Sequence, residues 1–186
     1  MKLGRDQMNL MSLALVAAIA AGPVRSQTTK PPSAQTVINA ALKTAQAENK
    51  TLFVHFGASW CTWCKQLDAM LVSPEVGKLI ADHFVLVNLT VQESDDKKSL
   101  ENSGAQELMD KNGAGKAGVP YYLFLDQTGM KLADSLAMPK GGNIGYPATP
   151  EEIKTFEGLL PKAAPRMTSA QRALITEYLT KHAPKQ

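Results

Sequence analysis

Cysteine is scarce in this sequence, with two residues among 186, and they lie three positions apart at Cys61 and Cys64. Domains that depend on disulfides for stability carry more cysteines, spread so that each bridge closes a long loop. A disulfide scaffold is therefore excluded, and the chain is long enough to bury a core without one. Two cysteines this close are typical of a pair that acts chemically.

Concentrated positive charge is also missing. The net charge is +3 without a long basic run, which argues against a nucleic-acid partner. Histidine is equally rare, with three residues. A zinc site normally needs four ligands, so zinc at the cysteines would require these histidines or scattered carboxylates. We predict no metal and no cofactor.

No apolar run in the sequence is long enough to span a bilayer comfortably, since spanning takes about 20 apolar residues. Instead, basic residues precede a short apolar run at 13–21, a pattern typical of a secretory signal. We predict a signal peptide over 1–26, with cleavage after Ser26 favoured over cleavage after Ala20. An uncleaved membrane anchor is the alternative. Export would place the cysteines in an oxidising compartment.

The remaining sequence divides into three parts. We predict a flexible leader over 27–32, an α/β domain over 33–148, and a helical extension over 149–186 that packs on the domain. Strand–helix–strand units followed by a hairpin favour a mixed central β-sheet with helices on both faces. The predicted helices cover 34–48, 61–71, 100–112, 149–160 and 168–181, with another beginning at Ser73-Pro74, and the strands cover 52–56, 84–91, 121–125 and 131–136.

Two polar segments carry weaker signals. Residues 92–99 are acidic and polar, and we expect a solvated loop there. The glycine-rich stretch 113–118 fails the spacing of a phosphate-binding loop and lacks Ser or Thr after its lysine. We expect it to form a flexible approach to Pro120.

The spacing of the cysteines suits thiol chemistry. Residues three apart on a helix lie on one face, so the two sulfurs can bond. Cys61 would occupy the first turn, where the helix dipole lowers the pKa of a thiol from its usual value of about 8.5. Because the thiolate is the attacking species in disulfide exchange, Cys61 is expected to react first. Cys64, one turn deeper, is expected to be more buried and to act second.

Two motifs carry a family resemblance. The segment 53–65, which contains Trp60-Cys61-Thr62-Trp63-Cys64, resembles the active-site segment of thioredoxin. Gly118-Val119-Pro120, followed by a strand, resembles the family's cis-proline loop. The resemblance covers about residues 35–136, and the run 60–76 is also similar to bacterial periplasmic thiol–disulfide interchange domains. It implies a thioredoxin-like α/β fold, here with extra C-terminal helices.

The resemblance also implies roles for individual residues. Cys61 would be the nucleophile and Cys64 the resolving thiol. Pro120 would be the cis-proline that faces the disulfide, and Val119 would offer backbone groups to a bound substrate strand. A trans bond at a simple strand start is the alternative, although cis bonds occur almost only before proline.

The sequence departs from the family at two places. Thr62-Trp63 replaces the usual Gly-Pro between the cysteines, and this dipeptide helps to set the redox poise. We expect Trp60, Thr62 and Trp63 to contact substrate. His55 stands where the family has a buried acidic residue. It is either a hydrogen-bonded core histidine or a functional one, which accepts the Cys64 proton when neutral or stabilises the Cys61 thiolate when charged.

These observations predict a secreted thiol–disulfide oxidoreductase that acts on disulfide- or dithiol-bearing exported proteins. A bacterial periplasm, a membrane electron-relay partner and a monomeric state are expected with it. The alternative is a peptide-binding or assembly module on the same fold, without significant turnover. A thiol peroxidase would need a cysteine setting that is not seen here.

Overall fold

The computed structural model describes residues 30–184. The predicted signal peptide and residues 27–29 of the leader lie outside this range. The structure has six α-helices, a 3-10 helix and four strands within the described residues. The helices are α1 (Ala34–Glu48), α2 (Thr62–Leu71), α3 (Gly77–His83), α4 (Ala105–Lys111), α5 (Pro150–Ala163) and α6 (Ser169–His182), with the 3-10 helix at Asp95–Leu100. The strands are β1 (Thr51–Gly57), β2 (Phe84–Thr90), β3 (Tyr121–Leu125) and β4 (Lys131–Asp134).

The strands form one mixed sheet in the order β2-β1-β3-β4. β1 pairs in parallel with β2 and antiparallel with β3, and β3 pairs antiparallel with β4. The parallel pair needs a crossover, which α2 and α3 supply. The predicted mixed sheet flanked by helices is therefore confirmed.

Side chains of β1 alternate between two hydrophobic cores, because successive strand residues point to opposite faces. Leu52, Val54 and Phe56 pack in the core that also contains α1 and α4. Phe53 packs on the other face, in the core that contains α2, α5 and α6. His55 lies two positions further along the strand and thus on the same face as Phe53.

The C-terminal helices contribute directly to the second core. Phe156 and Leu160 of α5 and Ile175 and Leu179 of α6 are buried in the same cluster as Phe53. Both helices begin at capping boxes. In each box the side chain of the N-cap threonine accepts a hydrogen bond from the amide of the third helical residue, and the side chain of that residue accepts one from the threonine amide. None of the helices within 30–184 has the length and apolar character required to cross a membrane.

Three predicted helix boundaries are wrong. The helix predicted over 100–112 begins only at Ala105, because Asp95–Leu100 form a separate 3-10 helix and Gly104, the N-cap, has a left-handed backbone. The helix after Ser73 begins at Gly77, since the Ser73 hydroxyl accepts from the Val76 amide and closes a separate turn first. Pro161 does not end α5 but lies inside its last turn. A proline removes one helical hydrogen bond. The helix nevertheless continues to the buried Ala163, and the Ala164 amide still bonds to Leu160.

Candidate functional site

Cys61 and Cys64 are joined by a disulfide at the start of α2. Cys61 is the N-cap of the helix, and its sulfur accepts a hydrogen bond from the Cys64 amide at 3.0 Å. The two residues are 2% and 3% exposed, so the expectation that Cys64 is the more buried is not met. What distinguishes them is position, because only the Cys61 sulfur caps the helix.

The Val119–Pro120 peptide bond is cis, as the sequence predicted. The Val119 carbonyl oxygen lies 3.5 Å from the Cys61 sulfur, and the Val119 side chain packs on the two cysteines. The side-chain amide of Asn143 donates to the carbonyl oxygens of Gly118 and Pro120 at 2.8 and 2.9 Å. Asn143 therefore holds the proline loop from both ends.

The two tryptophans beside the cysteines are both exposed but have different partners. The indole N–H of Trp60 donates to the backbone oxygen of Gln92 at 2.9 Å. Trp63 stacks on Tyr146, with ring centroids 5.9 Å apart and an interplanar angle of 17°. Thr62 is exposed between the cysteines.

A cleft of about 350 Å³ opens beside Pro120, and we call it the proline cleft. Its walls are mainly aromatic or aliphatic, and the one ionised side chain among its described lining residues is Glu152. That carboxylate accepts from the amides of residues 148 and 149. Burial raises the pKa of the Tyr146 phenol, which therefore stays neutral. The lining includes Trp63, Val119, Pro120, Ile144, Tyr146 and Glu152.

His55 is 3% exposed and lies behind the disulfide. Its Nδ1 is 2.9 Å from a carboxylate oxygen of Asp68, whereas its buried Nε2 has no hydrogen-bond partner. A Cβ added to Gly57 would lie 3.0 Å from this Nε2 and 3.3 Å from the Cys64 sulfur. Imidazole and sulfur thus approach the same point, where only glycine leaves the space open.

A second pocket, of about 440 Å³, reaches these groups and shares no lining residue with the proline cleft. We call it the histidine pocket. Its lining includes His55, Gly57, Cys64, Lys65, Asp68 and Glu93.

Glu93 is the buried carboxylate of this pocket. It accepts from the Ser59 amide at 2.5 Å and from the Ser59 hydroxyl at 2.9 Å. The expectation that residues 92–99 form a solvated loop is therefore wrong at Glu93. Its two contacts with Ser59 place it in the interior, where they fix the turn that leads from β1 to Cys61.

Four residues of the site were not predicted from the sequence. Asp68 could have been found, because it lies four positions after Cys64 and so on the same helix face. Glu93, Asn143 and Tyr146 come from loops far along the chain, and no local pattern marks them. Within residues 30–184, no cluster of His, Cys, Asp and Glu has the size and arrangement of a metal site.

The sequence model of the Thioredoxin-like family matches residues 33–127, which is more than half of the chain. The chain belongs to this family, and its fold is thioredoxin-like with a Cys-x-x-Cys disulfide and additional C-terminal helices. No curated protein matches the sequence.

Several solved structures resemble the chain. A disulphide isomerase from Xylella fastidiosa Temecula1 is 21% identical over 86% of this chain and 98% of its own, with a TM-score of 0.48. A DsbH oxidoreductase is 23% identical over 66% and 88%, with a TM-score of 0.41. A thioredoxin from Thermus thermophilus is 24% identical over 52% and 68%, with a TM-score of 0.38. Likeness at this level concerns the fold and does not extend to substrates.

Proposed function

We propose that this protein is a secreted thiol–disulfide oxidoreductase that exchanges disulfides with exported proteins through Cys61 and Cys64. The observation that carries the proposal is the placement of the disulfide at the N-terminus of α2, against the cis Val119–Pro120 loop. A disulfide with only structural value would gain little from closing so short a loop.

Cys61 is the proposed nucleophile. In the reduced pair its thiolate would keep the hydrogen bond from the Cys64 amide, and the N-terminus of the helix would stabilise the negative charge. Attack on a substrate disulfide forms a bond between Cys61 and one substrate sulfur and releases the other as a thiolate. Cys64 then attacks Cys61, which restores the internal disulfide and releases the second thiolate. The substrate disulfide is reduced by two electrons, and the pair is oxidised by two.

Pro120 and Val119 are the proposed substrate contacts on the other side of the attacked bond. The Val119 carbonyl faces the Cys61 sulfur and is free of backbone partners among the described residues. It can therefore accept from the backbone of an extended substrate segment. Trp60, Thr62 and Trp63 supply exposed side chains around the same point.

The N-terminal sequence supports export, because basic residues precede a short apolar run. We propose a bacterial periplasm as the compartment, with a monomeric protein acting there. Each round of exchange leaves the pair in the opposite redox state, so turnover requires an electron partner. A membrane-bound dithiol relay would meet that need.

A trapping experiment tests the nucleophile and the activity together. The Cys64→Ser variant should accumulate a mixed disulfide with insulin, because the resolving thiol is absent. Mass spectrometry of the trapped species should place the bond at Cys61. Wild-type protein should catalyse insulin reduction by dithiothreitol, and Cys61→Ser should not.

The alternative module without turnover gives a different result. It would bind a reduced, extended peptide equally well in the wild type and in Cys61→Ser, and neither would catalyse exchange. Faster alkylation of Cys64 than of Cys61 in the reduced wild type would reverse the proposed roles.

A further inference from the structure

Glu93 is a buried carboxylate that the proposed exchange steps do not use. It is 4% exposed and lines the histidine pocket together with Cys64. None of the ion pairs within residues 30–184 includes Glu93, so no cation neutralises it directly. Removing a carboxylate from water without a paired cation is costly, so the position of this charge calls for a reason other than stability.

Hydrogen bonds hold the carboxylate in one place beside the turn that leads to Cys61. Its two oxygens accept from the amide and the hydroxyl of Ser59, and the Glu93 amide donates to the Glu101 carboxylate at 2.7 Å. The preceding residue, Gln92, has a left-handed backbone with a φ of 54°, which non-glycine residues rarely adopt. Its backbone oxygen accepts from the Trp60 indole. The carboxylate therefore cannot turn toward solvent.

The fixed charge of Glu93 lies close to the start of α2. Ser59, which both carboxylate oxygens contact, precedes Cys61 by two residues, and two residues span at most about 7 Å. Salt screens charges over about 8 Å at physiological ionic strength, and it screens buried charges less. The field of the carboxylate therefore reaches the Cys61 sulfur, where it opposes the effect of the helix N-terminus.

The charge on the cysteine pair differs between its two redox states. In the disulfide both sulfurs are neutral. In the reduced pair the Cys61 thiolate is negative, and the Cys64 amide and the N-terminus of α2 stabilise it. A nearby carboxylate repels this thiolate but has little effect on the disulfide. It therefore raises the free energy of the reduced state alone.

We propose that Glu93 sets the redox poise of the Cys61–Cys64 pair and biases the pair toward reducing the disulfides of its substrates. The inference rests on the proposed function and adds a direction to it. When the reduced pair reacts, the Cys61–Cys64 bond forms and the substrate disulfide breaks. Two electrons and the Cys64 proton pass to the substrate, which leaves as one thiolate and one thiol. A pair with a stabilised reduced form is a stronger oxidant, so a pair with a destabilised reduced form is a stronger reductant.

The other charged side chains of the pocket are less suited to this role. Lys65 is exposed, and 45% of the Asp68 side chain is accessible, so water and salt screen both charges. The Asp68 carboxylate is also hydrogen-bonded to His55 at 2.9 Å. Glu93 combines burial, a fixed position and the lack of a counter-ion among the described residues.

The test measures the equilibrium of the pair with glutathione and so needs no exported substrate. Glu93→Gln removes the charge but can keep both contacts, because its amide oxygen can accept from the Ser59 amide and its amide N–H can donate to the Ser59 hydroxyl. At pH 7 the equilibrium should shift about 3- to 10-fold toward the reduced pair, which corresponds to a potential about 15–30 mV higher. The midpoint of the pH dependence of Cys61 alkylation should move to lower pH.

A purely structural role of Glu93 predicts the opposite sign. If Glu93 only held the turn, its replacement would loosen the cap at Cys61, destabilise the thiolate and lower the potential. Ser59→Ala removes one contact but keeps the charge, so its equilibrium should stay within about twofold of the wild type. Glu107→Gln removes an exposed carboxylate from α4, outside the pocket, and should match the wild type.

Salt separates the effect of a buried charge from that of a surface charge. The difference between Glu93→Gln and the wild type should persist from about 0.05 to about 0.5 M NaCl, because the carboxylate is enclosed. An unchanged or lower potential in folded Glu93→Gln, an equal rise in Ser59→Ala, or a difference that salt abolishes overturns the proposal. Failure of the wild type to catalyse insulin reduction, with the shift in Glu93→Gln intact, would instead overturn the proposed function.

Discussion

The proline cleft and the histidine pocket lie on different sides of the same disulfide, and both have mainly apolar walls that carry different polar groups. The cleft presents aromatic and aliphatic surfaces beside the free Val119 carbonyl. The pocket presents an imidazole and two carboxylates. Apolar walls with a backbone acceptor suit an extended peptide, whereas a buried imidazole whose Nε2 has no hydrogen-bond partner suits a proton. One disulfide can therefore be reached from two sides, by two surfaces that share no lining residue and carry different polar groups.

The two surfaces also differ in how the chain assembles them. His55 and Asp68 are thirteen positions apart, on a strand and the helix that follows it. The cleft brings together Trp63 of α2, the loop at Pro120 and the loop at Tyr146. Substitutions in the cleft should therefore disturb loops and substrate binding. Substitution of His55 or Asp68 in the pocket should alter rates without moving the backbone, whereas Glu93 also fixes the turn before Cys61.

The largest effect on the cleft side is expected from Asn143→Asp. A carboxylate would face the carbonyl oxygens of Gly118 and Pro120 and could not donate to either. Each hydrogen bond contributes about 0.5–1.5 kcal/mol, so losing one to an exposed oxygen and one to a partly buried oxygen costs about 1–3 kcal/mol, and the proline loop should loosen. Exchange with a protein substrate should fall about tenfold in kcat/KM, an energy of the same order. Reaction with glutathione, which needs little of the cleft, should change less than threefold.

The matched control is Asn39→Asp, the same chemical change on the exposed face of α1. It should leave both substrates at wild-type rates. If Asn143→Asp slowed glutathione and protein to the same extent, the cleft would not be a separate surface, and the comparison would fail.

A smaller effect is expected from Tyr146→Leu. Leucine keeps an apolar side chain in the cleft but loses the stacking on Trp63. Such aromatic pairs contribute about 0.5–1.5 kcal/mol, so kcat/KM for a protein substrate should fall about 2- to 10-fold. Tyr178→Leu is the control, because Tyr178 stacks on His182 near the end of α6. Equal losses in the two variants would indicate a general effect on folding rather than a role in the cleft.

The fold and the disulfide could be predicted because their signals are local. The apolar run of β1, the cap at Ser33 and the capping box at Thr149 each depend on residues close in sequence. The same holds for Cys61 and Cys64, whose spacing and position after a strand define the pair. At these positions the conformation that neighbouring residues favour is the one that the structure has.

The rest of the site depends on contacts between distant segments. Glu93 belongs to a polar stretch, and only its bonds to Ser59, thirty-four positions earlier, make its burial favourable. Asn143 similarly gains its partners from a loop more than twenty positions away. A single sequence carries no periodic signal for such pairs, so both residues were missed. Asp68 is the exception, since helical spacing from Cys64 already marks it.

The smallest expected effect concerns His83, which lines neither of the two surfaces. Replacing it tests whether protein stability and disulfide exchange depend on pH through different residues. Burial, helped by the positive charge of Arg166, lowers the pKa of His83 below its usual value near 6.5. As pH falls through this window, the unfolded chain takes up the proton more readily than the folded protein, so stability is lost. Above pH 6.5 the contribution is fully present. His83→Gln should therefore lose slightly less thermal stability than the wild type between pH 7.5 and 5. Because His83 is only partly buried, we expect a difference of about 1 °C, measurable by calorimetry.

The rate of resolution by Cys64 should follow the same pH profile in both proteins, since His83 does not line the histidine pocket. A changed profile would mean that His83 also affects exchange.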